Sequence, residues 1–310
     1  MVVFVYALLC LIWGSTWLAI KVGLVGVPPF LGAGLRFLLS AAVVGLLLAA
    51  RRKPMGLTRD DKLCVLSLGV LVFWLDYGLV YWAEVHISSG LTAVLFSTMP
   101  LMTALLSTFW MRSETLNVRK VVGILVGVAG TALLFWPYER LDTMQALGML
   151  SALTGCLCAA INLVVVKRHG GNSDALVLNA FGMAVGAACL LLMSAVLEPW
   201  TTVVWTRSNM LAILYLSLFG SVIAFSAFYY LIKRMDATVV SFNTLIIPIV
   251  ALALGRAFLH ETVAPSGVLG IVTILAGVGI AILPTRAGRR PSSHVAESGA
   301  VVAVSASSNE

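Results

Sequence analysis

Apolar runs of about twenty residues, parted by short clusters of charged residues, Pro and Gly, recur along this 310-residue chain. A bilayer core about 30 Å thick takes about 20 apolar residues to cross as a helix. Ten such segments can be marked, over roughly 3–23, 29–50, 63–84, 88–111, 119–136, 146–167, 174–195, 209–232, 237–259 and 267–284. Pro28 and Pro29 part the first two, and Arg51, Arg52, Lys53, Pro54 and Gly56 part the second and third. Trp136, Pro137, Tyr138 and Glu139 close the fifth, and residues 167–171 part the sixth from the seventh. Backbone polar groups in lipid must be satisfied within the span, and no strand-like alternation is present, so the spans are helices. Composition points the same way. Hydrophobic residues make up 60% and charged residues 11%, against about 25% charged in soluble domains. A soluble chain of this size cannot bury that much apolar surface. A soluble enzyme, a disordered chain and a nucleic-acid-binding domain are excluded. The expected fold class is an all-α integral membrane protein of ten transmembrane helices.

The formal charge of +7 reflects topology rather than nucleic-acid binding, because the basic residues sit at segment ends. With the N-terminus in the cytoplasm, fifteen Lys and Arg fall in inside loops and four (Lys21, Arg140, Arg207, Arg256) outside; Arg36 lies within a span. That bias predicts both termini in the cytoplasm, which needs an even number of spans. The first apolar run has no positive n-region and no small-residue cleavage site after it, so a retained helix is expected there. The five cysteines, Cys10, Cys64, Cys156, Cys158 and Cys189, fall in or beside apolar runs without metal-type spacing, and read as small core residues. The tail over 285–310, rich in Ser, Ala and Gly, reads as a disordered cytoplasmic extension.

The chain also resembles itself at a nearly constant offset. A shift of 148 residues takes Pro100 to Pro248 and Tyr81-Trp82 to Tyr229-Tyr230. A shift of 147 takes Gly123, Gly130 and Pro137 to Gly270, Gly277 and Pro284; a shift of 146 takes Cys10 and Lys21 to Cys156 and Lys167. Two units follow, 1–139 and 140–284, each of five spans. An odd number of spans puts the second unit into the membrane upside down. The expected architecture is a 5+5 inverted-topology repeat around a central cavity, with substrate bound near the midplane.

Ionisable residues inside spans are costly and mark candidate sites. Arg36 lies about 10 Å into the second span and Asp76 about 12 Å from the outer end of the third, at 1.5 Å per residue. A pair between them is geometrically allowed. It reads either as an ion pair that fixes helix packing or as a site for a carboxylate or amine, with Asp76 as a protonatable switch. Glu84 and His86 lie near the outer boundary, where a solvated loop edge is expected in preference to a gate. Pro100 and Pro248 break helix hydrogen bonds in mid-span, as plain kinks or as hinges. Ser97, Thr98, Asn243 and Thr244 sit within a turn of them and can offer hydrogen bonds. Thr16, in Trp13-Gly14-Ser15-Thr16-Trp17, matches Asn162 in the repeat, so the two can face one cavity or only tie helices together. Trp74, Tyr77 and Phe225 lie deep enough to stack on a ligand or hold a cation, whereas Tyr81, Trp82, Tyr229 and Tyr230 suit interfacial belts. Gly123 and Gly127 form a small-xxx-small pair for close helix approach. Glu114 and Glu261 follow the fourth and ninth spans, where capping of the next helix is expected. There is no P-loop, metal spacing or nucleophile elbow; no cofactor, metal, enzyme activity or ATP-driven pumping is expected.

Together these features resemble the drug/metabolite transporter superfamily, and EamA-type permeases within it, over nearly the whole chain apart from the tail. The resemblance rests on Trp13-Gly14-Ser15-Thr16-Trp17, Leu35-Arg36-Phe37, Tyr81-Trp82-Ala83-Glu84, the Pro100 segment followed by Glu114, and the second copy with Pro248 and Glu261. It implies a 5+5 inverted repeat and export or exchange of small metabolites, often amino acids, across the bacterial inner membrane. Trp17 stands where Phe is more usual. The leading expectation is a secondary transporter working by alternating access, with a small-molecule substrate, the lipid bilayer and, if it is proton-coupled, a proton at Asp76 as partners. Export of cationic or aromatic drug-like compounds and a non-transporting scaffold or receptor are the alternatives.

Overall fold

In a computed structural model, described for residues 1–52, 56–111, 118–135, 142–169, 174–232, 234, 243–261 and 265–282, every regular element is helical. The elements are α1 (Val2–Gly23), α2 (Pro29–Ala50), α3 (Arg59–Ser67), a π-helical segment (Leu68–Asp76), α4 (Tyr77–His86), α5 (Ser89–Phe96) and α6 (Met99–Met111). They continue with α7 (Val118–Phe135), α8 (Thr143–His169), α9 (Ala175–Leu197), a 3-10 turn (Trp200–Thr202), α10 (Arg207–Tyr215), a second π-helical segment (Leu216–Ile223), α11 (Ala224–Ile232), α12 (Asn243–Leu259) and α13 (Pro265–Ile282). Seven helical stretches are long and apolar enough to cross a membrane, and shorter apolar helices cover Val121–Gly130, Ile246–Leu259 and Val268–Ile280. Each overlaps one of the ten segments marked from sequence.

Local chemistry sets the helix ends. Gly26 takes a positive φ of 80° in the turn after α1, and Pro29 opens α2 where a missing N–H costs nothing. The next two amides, of Phe30 and Leu31, donate to the Glu198 carboxylate at 2.7 and 2.9 Å. Thr58 and Asp61 form a capping box at the start of α3, and Thr206 and Asn209 form another at the start of α10. The two boxes are 148 residues apart, and each is followed by an α-to-π transition, at Leu68 and at Leu216.

The sequence pattern did not anticipate either π segment. One further expectation needs correcting. Pro100 does not kink a continuous helix: the fourth segment breaks at Ser97-Thr98, and Pro100 is the second residue of a new helix, α6. There its ring and missing N–H meet no earlier turn. Pro248, by contrast, lies inside α12. Glu114 and the 285–310 tail lie outside the described residues.

Packing brings segments matched by the sequence shifts face to face. α7 lies along α13, and α2 along α9. In the first pair the backbones touch: a Cβ on Gly277 would lie 2.6 Å from the Gly127 nitrogen and 2.7 Å from the Gly123 oxygen, and one on Gly130 would lie 2.6 Å from the Ile274 nitrogen. Other pairings are reciprocal. α1 packs on α12 as α8 packs on α6, and α9 packs on the first π segment as α2 packs on the second. The largest buried cluster joins Trp17, Phe37, Phe73, Tyr81, Met183 and Leu216 from both halves.

Candidate functional site

Arg36 packs against rings of this cluster and is 1% exposed. Its Nε donates to Ser221 Oγ at 3.2 Å. The guanidinium carbon lies 5.0 Å from the Phe37 ring centre and 4.8 Å from that of Tyr77, where the ring quadrupole attracts a cation. Nη1 has no hydrogen-bond partner. The backbone around Arg36 is pinned as well. Ser40 Oγ donates to the Arg36 carbonyl oxygen at 2.7 Å, and Ser217 Oγ lies 3.0 Å from the same oxygen.

The π geometry explains how Ser217 and Ser221 both reach α2. Ser221 Oγ donates to Leu216 O, five residues back, and the widened turn adds one residue to the ladder. Gly220 sits between them. A Cβ there would come 2.9 Å from Thr16 Cγ2 and 3.4 Å from Arg36 Nη2, so glycine lets α1 and α2 meet this segment. Ser40, Ser217, Gly220 and Ser221 were not singled out from sequence; for the last three a Ser-x-x-Gly-Ser run in an apolar span was the only signal.

Asp76 ends the first π segment. It is buried and its Oδ1 has no hydrogen-bond partner. It does not pair with Arg36: no salt bridge joins them, although the two interact electrostatically at longer range. Asp76 instead lies against α8, where a Cβ on Gly155 would come within 3.0 Å of both its backbone oxygen and Oδ1. The arrangement thus keeps a cation and a carboxylate in one buried region with hydrogen-bonding capacity unspent on each.

The aromatic residues divide between two places. Tyr77 packs edge-on to Phe37 at 4.7 Å and parallel to Phe73 at 6.2 Å. Phe225 meets Phe73 and Trp13 edge-on. These rings wall the Arg36 region, and Phe73 is a member that sequence reasoning missed. Trp74 goes elsewhere. Its Nε1 donates to Met193 Sδ at 3.4 Å, and it lines a cavity of about 440 Å³ with Phe30, Gly78, Trp82 and Ser151.

Thr16 and Asn162 do not converge. Thr16 Oγ1 donates to its own helix at Trp13 O, with its methyl towards Gly220, whereas Asn162 accepts from Ser67 Oγ at 2.9 Å. Ser97 and Thr98 donate to Val94 O and Leu95 O at the break between α5 and α6, and so cap their own helix. Asn243 is buried at the start of α12; the side chain of Thr244 lies outside the described residues.

The outer-end expectations need correcting. Glu84 is no solvated edge: it is fully buried, and neither carboxylate oxygen has a hydrogen-bond partner. The ammonium of Lys21 donates to the Glu84 backbone oxygen and to Ile87 O. Glu261 reaches a helix other than the one that follows it in the chain. Its carboxylate accepts from Ser89 N and Oγ and from Gly90 N, at 2.9 to 3.2 Å, at the start of α5. The tertiary fold, not chain order, decides which helix end a free carboxylate reaches.

Comparison with known proteins agrees with this picture. The model of the EamA-like transporter family matches residues 1–136 and 146–283. The uncharacterized transporter YoaV of Bacillus subtilis is 28% identical over 86% of this chain and 92% of its own length. The uncharacterized inner membrane transporter YedA of Escherichia coli K12 is 29% identical over 90% of this chain and 91% of its own. A solved crystal structure shares the fold, with a TM-score of 0.65 over 90% of this chain and 96% of the other, at 22% identity. A multi-pass helical membrane protein with matches of this kind over nearly its whole length belongs to the EamA-like transporter family.

Proposed function

We propose that this chain is a secondary transporter that exports or exchanges a small polar metabolite, such as an amino acid, across the cytoplasmic membrane by alternating access. Two five-helix halves of opposite orientation carry the site between them, with both termini in the cytoplasm. The reciprocal packing of matched helices and the two stretches matched by the family model support this architecture.

The observation that carries the reading is Arg36: a buried cation from the first half, anchored by Ser221 from the second, with Nη1 unpartnered. Unpaired buried charge is costly, and a carboxylate substrate would relieve it by a charge-assisted hydrogen bond. Asp76, with Oδ1 unpartnered, suits an amine or a coupling proton. Pro248, which removes one hydrogen bond within α12, is the proposed hinge; Pro100 marks the matching break before α6. A second reading, export of cationic aromatic compounds, draws on Asp76 and the Phe73, Tyr77 and Phe225 rings; Arg36 in the same cluster weighs against it.

The test is uptake and counterflow in proteoliposomes with pooled labelled amino acids, with and without a pH gradient. Counterflow lost on Arg36→Ala supports the reading. Absence of flux for amino acids together with flux of cationic dyes would replace it with the second.

A further inference from the structure

We propose that Glu84 is a proton-binding residue that exchanges its proton with the aqueous phase at the Lys21 end of the bundle. This inference rests on reading the chain as a carrier, and it gives that carrier a second protonatable carboxylate besides Asp76.

The ionisable groups around Glu84 are occupied with other partners. From α1, Lys21 spends its ammonium on the backbone oxygens of Glu84 and Ile87. The Glu261 carboxylate, following α12, is spent on the start of α5. From α2, Arg36 is held by Ser221 and by the Phe37 and Tyr77 rings. Tyr81, one turn before Glu84 on α4, is buried and interacts with Arg36. Lys21, Glu261 and Arg36 all act on Glu84 electrostatically, and Tyr81 is linked to it in the same way, yet none bonds to its carboxylate. α5 carries no charged residue, and the charges of α8 lie at its far end, where His169 pairs with Asp60 at 3.7 Å.

A fully buried carboxylate with two unpartnered oxygens is expensive as an anion. A proton from water, forming one O–H bond on that carboxylate, removes the charge. Opening this end admits water and frees the Lys21 ammonium from its two carbonyls. The O–H bond then breaks, the proton returns to water, and the anion gains both solvent and a counter-ion. Closure and proton uptake at Glu84 are thereby linked. Glu84 lies near the helix end, just two residues before the α4 terminus, so the path to solvent is short. Asp76, eight residues earlier, is about 12 Å deeper at 1.5 Å per residue.

The experiment is an infrared pH titration of the purified full-length protein in nanodiscs, read in the carbonyl stretch of protonated carboxylic acids. The expected result is a band that titrates reversibly, shifts on ¹³C labelling of glutamate, disappears in E84Q and persists in D76N. The ¹³C shift needs no substitution, and E84D, which should move the band without abolishing it, serves if E84Q fails to fold. A glutamate-insensitive spectrum, or a titrating band unaltered by E84Q and E84D, would overturn the proposal. The readout needs no substrate: a titrating Glu84 band in a protein without flux would sink the carrier reading alone, and flux without such a band would sink this one alone.

Discussion

Arg36 illustrates how one buried charge is held by both halves of the chain. Its rings, Phe37 and Tyr77, come from the first 139 residues, but Ser221 is 185 residues away. Arg36→Lys keeps the charge but loses the planar fork of donors that suits a carboxylate. With a hydrogen bond to a charged group worth about 1.5–3 kcal/mol, this variant is expected to weaken apparent substrate affinity by at least roughly tenfold while the protein stays folded. Concentration-dependent counterflow measures this, and an unchanged half-saturation value would remove Arg36 from the site. Ser221→Ala tests the anchor. A hydrogen bond to a charged group is worth about 1.5–3 kcal/mol, so this variant should lose stability in thermal unfolding even without substrate. Arg36 and Asp76 were readable as candidates because charge within an apolar run is rare. Ser221 and Glu84 were not: a serine in a span is common, and a glutamate at a span end looks solvated until the fold covers it.

Helix ends were mostly legible, because they follow from Pro, Gly and capping residues that leave a local signature. α2 was expected over 29–50 and runs over Pro29–Ala50; α1 starts one residue before its expected limit. The π segments left no such trace, since one added residue per turn changes neither composition nor length enough to alter an apolar run. They matter because they turn Ser217 and Ser221 towards α2. The Gly123-xxx-Gly127 pair was legible as a close-contact motif, but its partner, Gly277, emerged only from the fold. That contact gives a controlled prediction. Gly277→Ala pushes a methyl into the α7 backbone, 2.6 Å from the Gly127 nitrogen, whereas Gly279→Ala meets nothing within 4 Å. Overpacking typically costs about 1–3 kcal/mol. The first variant should unfold at lower temperature than wild type and the second should not; equal midpoints would show that α7 and α13 are not in backbone contact. Pro248→Ala restores a backbone donor inside α12. It should slow turnover while leaving the half-saturation concentration near its wild-type value, and a pure loss of affinity would refute the hinge.

At the scale of the molecule, the sequence offsets of 146 to 148 residues have counterparts in the paired capping boxes and the reciprocal helix contacts. Which face of the bundle meets the cytoplasm is a separate question, and the charge distribution predicts the answer. The ends of α1, α4 and α9 and the starts of α2, α5 and α10 share one face, tied together by Lys21 on Glu84 and Ile87, Glu198 on Phe30 and Leu31, and Asn209 on Val25. Arg51 and Arg52, after α2, and Arg59 and Lys62, in the first turn of α3, lie at the opposite face. Basic loops resist translocation, so this second face is expected in the cytoplasm. Thr201 and Arg51 are exposed on the two faces, and they provide the test. In a variant lacking the five native cysteines, Thr201→Cys should react with a membrane-impermeant maleimide added to cells with a permeabilised outer membrane. Arg51→Cys should react only after the inner membrane is opened. Reversal of the two would invert the topology and move Glu84 and Lys21 to the cytoplasmic side. The proton exchange proposed for Glu84 would then take place with the cytoplasm.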